Sequence, residues 1–275
     1  MIKVRDICFR YAGSPTEVFR DFSVDISMGN IYGLLGKNGT GKSTLLYLLC
    51  GLLRASQGTV RIDGMEAKKR PPDLLRDIYI VPEEFGLPRI SLSSYVKINW
   101  EFYPYFSDEI FGQCLDFFEL SESQNLGNLS MGQKKKAMLS FALAAGTKYL
   151  FMDEPTNGLD IPSKSQFRKA VAASMSDERT FIISTHQVKD VENLLDHVII
   201  LSESKILLDT SVGKISDDYV FEYRQLSEMT ADVIYAEPAL MGNYVVARRM
   251  PGTRETPVNL ELLFNAVVQG RLNIY

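Results

Sequence analysis

Nowhere does the sequence stay apolar for the ~20 residues that a helix needs to cross a bilayer; the longest such run, LLYLLCGLL over residues 45–53, is interrupted by Gly51. No membrane-spanning segment is expected. Cysteine is scarce, and the three present, Cys8, Cys50 and Cys114, form no CxxC pair, which argues against a disulfide framework or a zinc site and predicts a reducing compartment. Positive charge is in deficit: 30 Lys and Arg stand against 34 Asp and Glu, a net charge of −4. A broad nucleic-acid-binding surface is therefore not expected, and any anionic ligand must be met by local groups. The opening MIKVRDICFRY has neither the uninterrupted apolar stretch nor the small-residue cleavage site of a signal peptide, so the chain is expected to remain inside the cell. Internal repeats and low-complexity tracts are missing as well. What remains is a globular composition, 45% hydrophobic over 275 residues, suited to one large α/β domain or to a core plus a smaller appendage.

Apolar and polar residues alternate at Ile2 and Val4 and again at Phe22, Val24 and Ile26, which predicts short antiparallel strands joined by the turn-rich AGSPTE. NIYGLLG followed by KSTLLYLLCGLL predicts strand, glycine loop and helix. GTVRIDG reads as a hairpin strand and DIYIVPEE as another, stopped at Pro82. Over residues 91–146 aromatic-rich amphipathic segments replace the strand signals, with Ser107 and Ser121 as candidate helix caps, and an inserted helical subdomain is expected. KYLFMD, RTFIIST and DHVIILS then restore the strand–helix alternation of a parallel sheet. Beyond about Ser216, DYVFEY and NYVVARR predict two strands, MPGTRETP a turn, and a closing helix starts at Asn259. The expected partition is a core of residues 1–90 and 147–215, a helical subdomain of 91–146 and an α+β appendage of 216–275.

One loop carries a specific signal. GKNGTGKS, residues 36–43, fits GxxxxGK[ST] in full, flanked by a strand and a helix as the chemistry requires. From Gly36 through Asn38, Gly39 and Gly41 to Thr44, small residues let backbone N–H groups converge on phosphate oxygens at a helix N-terminus. Lys42 is placed to reach the β and γ phosphates, and the Ser43 hydroxyl to ligate a Mg2+ bound to the same phosphates. A glycine-rich turn with no ligand would not need Lys and Ser at these two positions.

A second element is KYLFMDE, whose strand delivers Asp153 and Glu154 to its C-terminal end, the edge at which open α/β sheets bind ligands. Asp153 is placed to hold Mg2+ through its water shell, and Glu154 to orient and deprotonate a water attacking the terminal phosphate. A strand ending in two acids is ordinary by itself; coexistence with the phosphate loop turns it towards chemistry.

The third element is Leu129-Ser130-Met131-Gly132-Gln133 at the start of the helix QKKKAMLSFALAA, a second anion-binding helix end. Here the sequence resembles the ABC ATPase family, whose signature reads LSxGQ, and the resemblance extends from Ile2 to Asp209. It implies a P-loop NTPase (RecA-like) core with an antiparallel β subdomain and an inserted helical subdomain. It also implies ATP as ligand, with Tyr11 matching the aromatic that stacks on adenine, PTNGLD (Pro155 to Asp160) the D-loop at the dimer interface, and His186 the switch histidine that contacts the γ-phosphate. His197 reads as a surface or core-edge imidazole.

The resemblance further implies a head-to-tail pair of ATPase subunits, homodimer or heterodimer, in which Ser130, Gly132 and Gln133 of one close over ATP on the other's phosphate loop. An integral membrane permease is the implied partner, with this chain peripheral on the cytoplasmic face of the membrane. A soluble relative acting on DNA or ribosomes would carry long coiled-coil insertions or two ATPase modules, and neither is present. A GTPase or small-molecule kinase on the same loop leaves LSMGQ, PTNGLD and His186 unexplained.

The family usually has glutamine where Glu83 stands, and Glu83 is expected either to coordinate Mg2+ or to face solvent and act only in coupling. Met131 replaces a glycine at a variable signature position. Trp100, Phe102 and Tyr103 are the candidates for contact with a membrane partner, Lys134 to Lys136 read as a solvated helix face, and the ending PVNLELLFNAVVQG resembles the closing helix of ABC-2 type exporters.

Overall fold

The computed structural model describes residues 1–272. It begins with β1 (Ile2–Phe9) and β2 (Phe19–Ile26), an antiparallel pair in which Ile2 and Val4 meet Ile26 and Val24 on the inward face, as the period-two pattern predicts. β3 (Ile31–Leu35) is buried at every position, and the glycine loop after it delivers α1 (Lys42–Leu49). β4 (Gln57–Ile62) and the short β5 (Met65–Glu66) return to the first sheet, ordered β2-β1-β4-β5. A short helix not expected from sequence, α2 (Pro72–Asp77), places Pro72 in its first turn, where the missing N–H is not needed, and leads into β6 (Ile78–Val81).

The inserted helices are α3 (Leu92–Asn99), α4 (Asp108–Phe118) and α5 (Met131–Ala144). Ser91 and Ser107 cap the first two, their hydroxyls accepting from the N–H groups of Ser94 and Ile110. Ser121, an expected cap, instead opens a turn: its N–H donates to the Gln124 side chain and its carbonyl accepts from the Gln124 N–H. The SESQN segment satisfies its backbone groups with its own side chains, in competition with a helix.

β7 (Tyr149–Asp153), α6 (Ile161–Ser174), β8 (Thr180–Thr185) and β9 (His197–Ser202) restore the alternation, and β10 (Lys205–Ser211) pairs antiparallel to β9. The sheet order is β10-β9-β3-β8-β7-β6. β3, β7 and β8 are buried end to end because helices or the first sheet cover both faces. Alternate residues serve the two faces. Tyr149 and Phe151 pack with Leu45, Leu46 and Leu49 of α1, while Leu150 and Met152 pack with Phe141 of α5 and Phe167 of α6. A buried phenylalanine of this kind is worth about 3–5 kcal/mol against alanine.

Register brings the strand ends level. Leu35 pairs with Thr185 and Asp153 with Ser184, so the residues that follow, Gly36, Glu154 and His186, emerge together at the C-terminal edge of the parallel strands.

The chain closes with α7 (Val212–Asp218), β11 (Tyr219–Arg224), β12 (Val233–Ala239), β13 (Gly242–Arg248) and α8 (Leu260–Val268). The sequence predicts two strands here and the structure has three, ordered β11-β13-β12. β12 is concealed by Pro238, which an edge strand tolerates. Asn259 caps α8 by accepting from the Leu262 N–H. Leu260, Leu263 and Ala266 share one apolar cluster with Tyr235 and Val246 of this sheet and with Val188 and Val191 just beyond β8. Among the described residues no helix is long and apolar enough to cross a membrane.

Candidate nucleotide-binding and hydrolytic site

The loop between β3 and α1 is shaped by two glycines that no other residue replaces without strain. Gly41, the residue before the helix, has φ of 98°, and a Cβ there would come within 2.8 Å of Val18 Cγ1 and 2.9 Å of the Phe19 ring. A Cβ on Gly36 would lie 2.8 Å from the Leu201 carbonyl oxygen. Because Gly41 has no side chain, α1 begins with no side-chain cap and no acidic residue in its first turn, which leaves its first N–H groups free to meet an anion. Asn38 and Gly39 are exposed at the loop tip, and Ser43 is half-buried in the first helical turn.

Lys42 is buried and bridges the loop, its ammonium donating to the carbonyls of Gly36 at 2.8 Å and Lys37 at 3.2 Å. It also stands 3.8 Å from Glu154 Oε1. Burial pulls its pKa below the usual lysine value, while the carboxylates of Glu154, Asp153 and Glu83 oppose that shift. The exposed Tyr11 packs edge-on against Phe9, with ring centroids 4.9 Å apart, and its hydroxyl lies 2.9 Å from Thr44 Oγ1, which anchors an aromatic ring beside the loop.

Asp153, buried at the end of β7, accepts from the Ser184 hydroxyl. Glu154 follows with φ of 45°, a left-handed conformation that costs a residue with a Cβ roughly 1–2 kcal/mol. That turn aims its carboxylate back across the sheet edge. Oε2 accepts from the Thr185 hydroxyl at 3.1 Å, Oε1 accepts from the His186 N–H at 3.1 Å, and His186 Nδ1 lies 2.7 Å from Oε1. Lys42, Glu154 and His186 therefore form one continuous polar cluster at the mouth of α1. A carboxylate held this way can take a proton from a nearby water, and the ammonium beside it can carry phosphate charge.

The oxygen donors at this edge, the Ser43 hydroxyl and the Asp153 carboxylate, are the hard ligands that Mg2+ takes together with phosphate oxygens. Among the described residues no group of three His, Cys, Asp or Glu makes a metal cage by itself. Glu83 is exposed beyond β6 and accepts from Asn157 Nδ2 at 2.8 Å.

The structure does not gather every expected residue at this edge. Ser130 and Gln133 are exposed at the start of α5 and bond to each other in a capping box, with Gln133 N–H donating to Ser130 Oγ and Ser130 N–H to Gln133 Oε1. Gly132 adjoins the D-loop, where a Cβ would lie 3.4 Å from the Gly158 carbonyl oxygen. Asp160 caps α6 by accepting from the Ser163 N–H at 2.9 Å, and Ser163, through its side chain first and then this N–H, holds the Asp160 carboxyl below the usual value. His197 pairs with Asp209 at 2.6 Å and stacks on Tyr32, a structural placement.

One expectation is overturned outright. The lysines of α5 are not a solvated face: Lys135 is 5% exposed and donates to the carbonyls of Glu154 at 2.9 Å and Asn157 at 3.1 Å. Its spacing to the buried Leu139 and Ala142 follows the helical period and was the available signal. Ser184 and Thr185, which hold the two carboxylates, were likewise missed as supports; only the strand register shows that they stand opposite Asp153 and Glu154.

Away from this edge, a groove of about 590 Å³ runs between α2, β6 and the inserted helices, lined by Leu52, Leu75, Tyr95, Phe102 and Tyr103 among others. Phe102 and Trp100 are 65% and 47% exposed, whereas Tyr103 is largely buried against Tyr79 and Phe141. All three cysteines are free and buried, and burial pushes the Cys114 thiol up to about 12.

Comparison with known proteins agrees with this geometry. The profile of the ABC transporter family matches residues 19–157. The bacitracin transport ATP-binding protein BcrA of Bacillus licheniformis is 32% identical over 75% of this chain and 68% of its own length. The lipopolysaccharide export system ATP-binding protein LptB of Haemophilus influenzae is 28% identical over 74% of this chain and 88% of its own. A solved structure described as an ATP binding subunit of an ABC transporter superposes with a TM-score of 0.69 at 23% identity, covering 78% of this chain and 91% of that one, which establishes the shared fold. The chain belongs to the ABC transporter family, as an ATP-binding subunit of the kind that hydrolyses ATP to drive transport and acts with a membrane permease.

Proposed function

We propose that this subunit hydrolyses Mg-ATP at a site shared between two ATPase chains and powers outward transport through a separate permease on whose cytoplasmic face it docks. The observation that carries the reading is the meeting of Lys42, Glu154 and His186 at the uncapped start of α1. Tyr11 stacks on adenine, and the N–H groups from Gly36 through Asn38, Gly39 and Gly41 to Thr44 line the phosphates. Lys42 exchanges its bonds to Gly36 and Lys37 for the β and γ phosphates. Ser43 and Asp153 would hold Mg2+, with Glu83 as a further candidate ligand, and the ion would supply positive charge to the phosphate oxygens.

Glu154 orients a water, which attacks the γ phosphorus. The bond from that phosphorus to the bridging oxygen breaks, ADP and phosphate leave, and the water's proton passes to the Glu154 carboxylate. His186 holds that carboxylate through Nδ1 and offers Nε2 towards the γ-phosphate.

Placement of Ser130, Gly132 and Gln133 at a helix start, with Ser130 and Gln133 exposed and Gly132 half-buried, supports closure over a partner's nucleotide. Asp160 lies on the same D-loop and belongs to that interface. The groove, with Phe102 exposed at its rim and Arg70, Arg76 and Glu101 among its lining, supports permease docking there. Outward direction is supported by the relative named for export and by α8, capped by Asn259, whose sequence resembles the closing helix of ABC-2 type exporters.

Glu154→Gln tests the reading. The variant is expected to bind ATP, to lose turnover and to accumulate as an ATP-dependent dimer in size-exclusion chromatography. Turnover at the unmodified rate would remove Glu154 from its role.

A further inference from the structure

Lys135 is the residue of this molecule whose placement the hydrolytic reading leaves unexplained. An ammonium is costly to bury, and this one has no ion-pair partner among the described residues. Burial lowers its pKa, and Glu83, Glu154 and Asp153 oppose that shift from a distance. A methionine would fill the same space without the desolvation. The lysine therefore does something that hydrocarbon cannot, and its two short bonds say what: both go to carbonyls of one turn, at Glu154 and Asn157.

That turn carries the hydrolytic carboxylate in its left-handed conformation, with the Asn157 N–H donating to the Glu154 carbonyl at 3.1 Å. The Glu154 carbonyl thus has two donors, one from its own turn and one from α5. Two donors on one carbonyl fix the peptide plane that follows Glu154, and with the left-handed φ this sets where the side chain leaves the backbone. The turn is tied on its other flank as well, where the Asn157 amide donates to Glu83.

We propose that Lys135 is a positioning residue for hydrolysis: from the helix that begins at Ser130 it fixes the turn from Glu154 to Asn157 and so holds the Glu154 carboxylate on its water. The proposal rests on the reading of Glu154 as the group that activates water, and it adds a direction to it. Because Lys135 rides on the second turn of the helix whose exposed start faces a partner's ATP, a shift of that helix moves the carboxylate of its own subunit.

Lys135→Met in the full-length chain tests this. We expect at least a tenfold fall in kcat, a KM for ATP held within about twofold, and an unchanged or raised melting temperature. Hydrogen exchange of the Asn157 amide should quicken at least tenfold while the buried amides of α5 keep their protection. Lys135→Arg, which can still donate to both carbonyls, should recover at least a third of kcat.

Wild-type kcat in Lys135→Met would overturn the proposal. So would equal loss of kcat, ATP affinity and melting temperature, because that is how a merely structural residue behaves. Should Lys135→Met fail to fold, Lys135→Gln is measured the same way, and a lowered kcat at constant KM supports the proposal while an unchanged kcat overturns it. Glu154→Gln run alongside separates the two readings: if it turns over, the role of Glu154 falls, and if it is inactive while Lys135→Met is normal, only the role of Lys135 falls.

Discussion

His186 holds Glu154 twice, through Nδ1 at 2.7 Å and through its backbone N–H at 3.1 Å, both to Oε1. For the first of these bonds the imidazole carries its proton on Nδ1, leaving Nε2 as the acceptor or, when protonated, the donor that faces the ligand side. The backbone bond survives every substitution but proline, so His186→Ala removes one of the supports while Thr185 Oγ1 and the N–H of residue 186 remain. The variant is expected to lose about 10²–10⁴-fold in kcat, within the range for a lost acid–base or orienting group, and to keep its affinity for ATP. Phosphate release at saturating ATP, set beside equilibrium binding of a fluorescent nucleotide, measures both. Undiminished phosphate release would show that the imidazole only fills space beside the carboxylate.

How much of this site was legible beforehand depends on what kind of information each residue carries. Gly36, Lys42 and Ser43 were readable because the phosphate loop is one contiguous segment in which every residue type answers to one ligand. Asp153 and Glu154 were readable as the end of a strand. Ser184 and Thr185 were not, because their roles are created by register, a relation between strands that local pattern does not encode. Lys135 was misread since three consecutive lysines suggest solvent, although its place on the buried stripe with Leu139 and Ala142 says otherwise. In the fold, the buried strands of the parallel sheet announced themselves as apolar runs, while β12, a half-exposed edge strand carrying Pro238, gave no such run.

The appendage has its own charge pair, and its response to acid follows from geometry. Arg224 and Asp232 face each other in a fork, with Nη2 to Oδ2 at 2.8 Å and Nη1 to Oδ1 at 3.1 Å, and the Thr230 hydroxyl donates to the same carboxylate. The Arg224 guanidinium, first, and then Thr230 hold the Asp232 carboxyl well below its usual range. A carboxyl whose pKa is lower folded than unfolded stabilises the folded state above the unfolded value of about 3.9, and that contribution is lost as pH falls through this value towards the folded one. Wild type is therefore expected to melt higher than Asp232→Asn at pH 7, with the gap narrowing steadily below about pH 4. Thermal melts of the two proteins across pH 2–8 measure it. A gap that stays constant down to pH 2 would mean that the charge of Asp232 does not carry it, and no gap at any pH that the fork contributes nothing to stability.

Glu83 stands where the family resemblance leads one to expect glutamine, and its surroundings separate two roles for it. Its Oε1 accepts from Asn157 Nδ2, a bond that a glutamine oxygen can also accept, so Glu83→Gln preserves the tie to the turn and removes only the charge. Charge is what a divalent ion at Ser43 and Asp153 would feel, since an added carboxylate strengthens the field on the metal. The same carboxylate also acts on Lys42 and Lys135, where it opposes the lowering of both ammonium pKa values by burial. Glu83→Gln is accordingly expected to raise the Mg2+ concentration needed for half-maximal hydrolysis severalfold, while kcat at saturating Mg2+ stays within about twofold because the turn is still held. Hydrolysis followed across a Mg2+ titration, wild type against variant, decides it. Superimposed curves would confine Glu83 to holding Asn157, and a fall in kcat that saturating Mg2+ does not restore would assign its charge to the lysines instead of the metal.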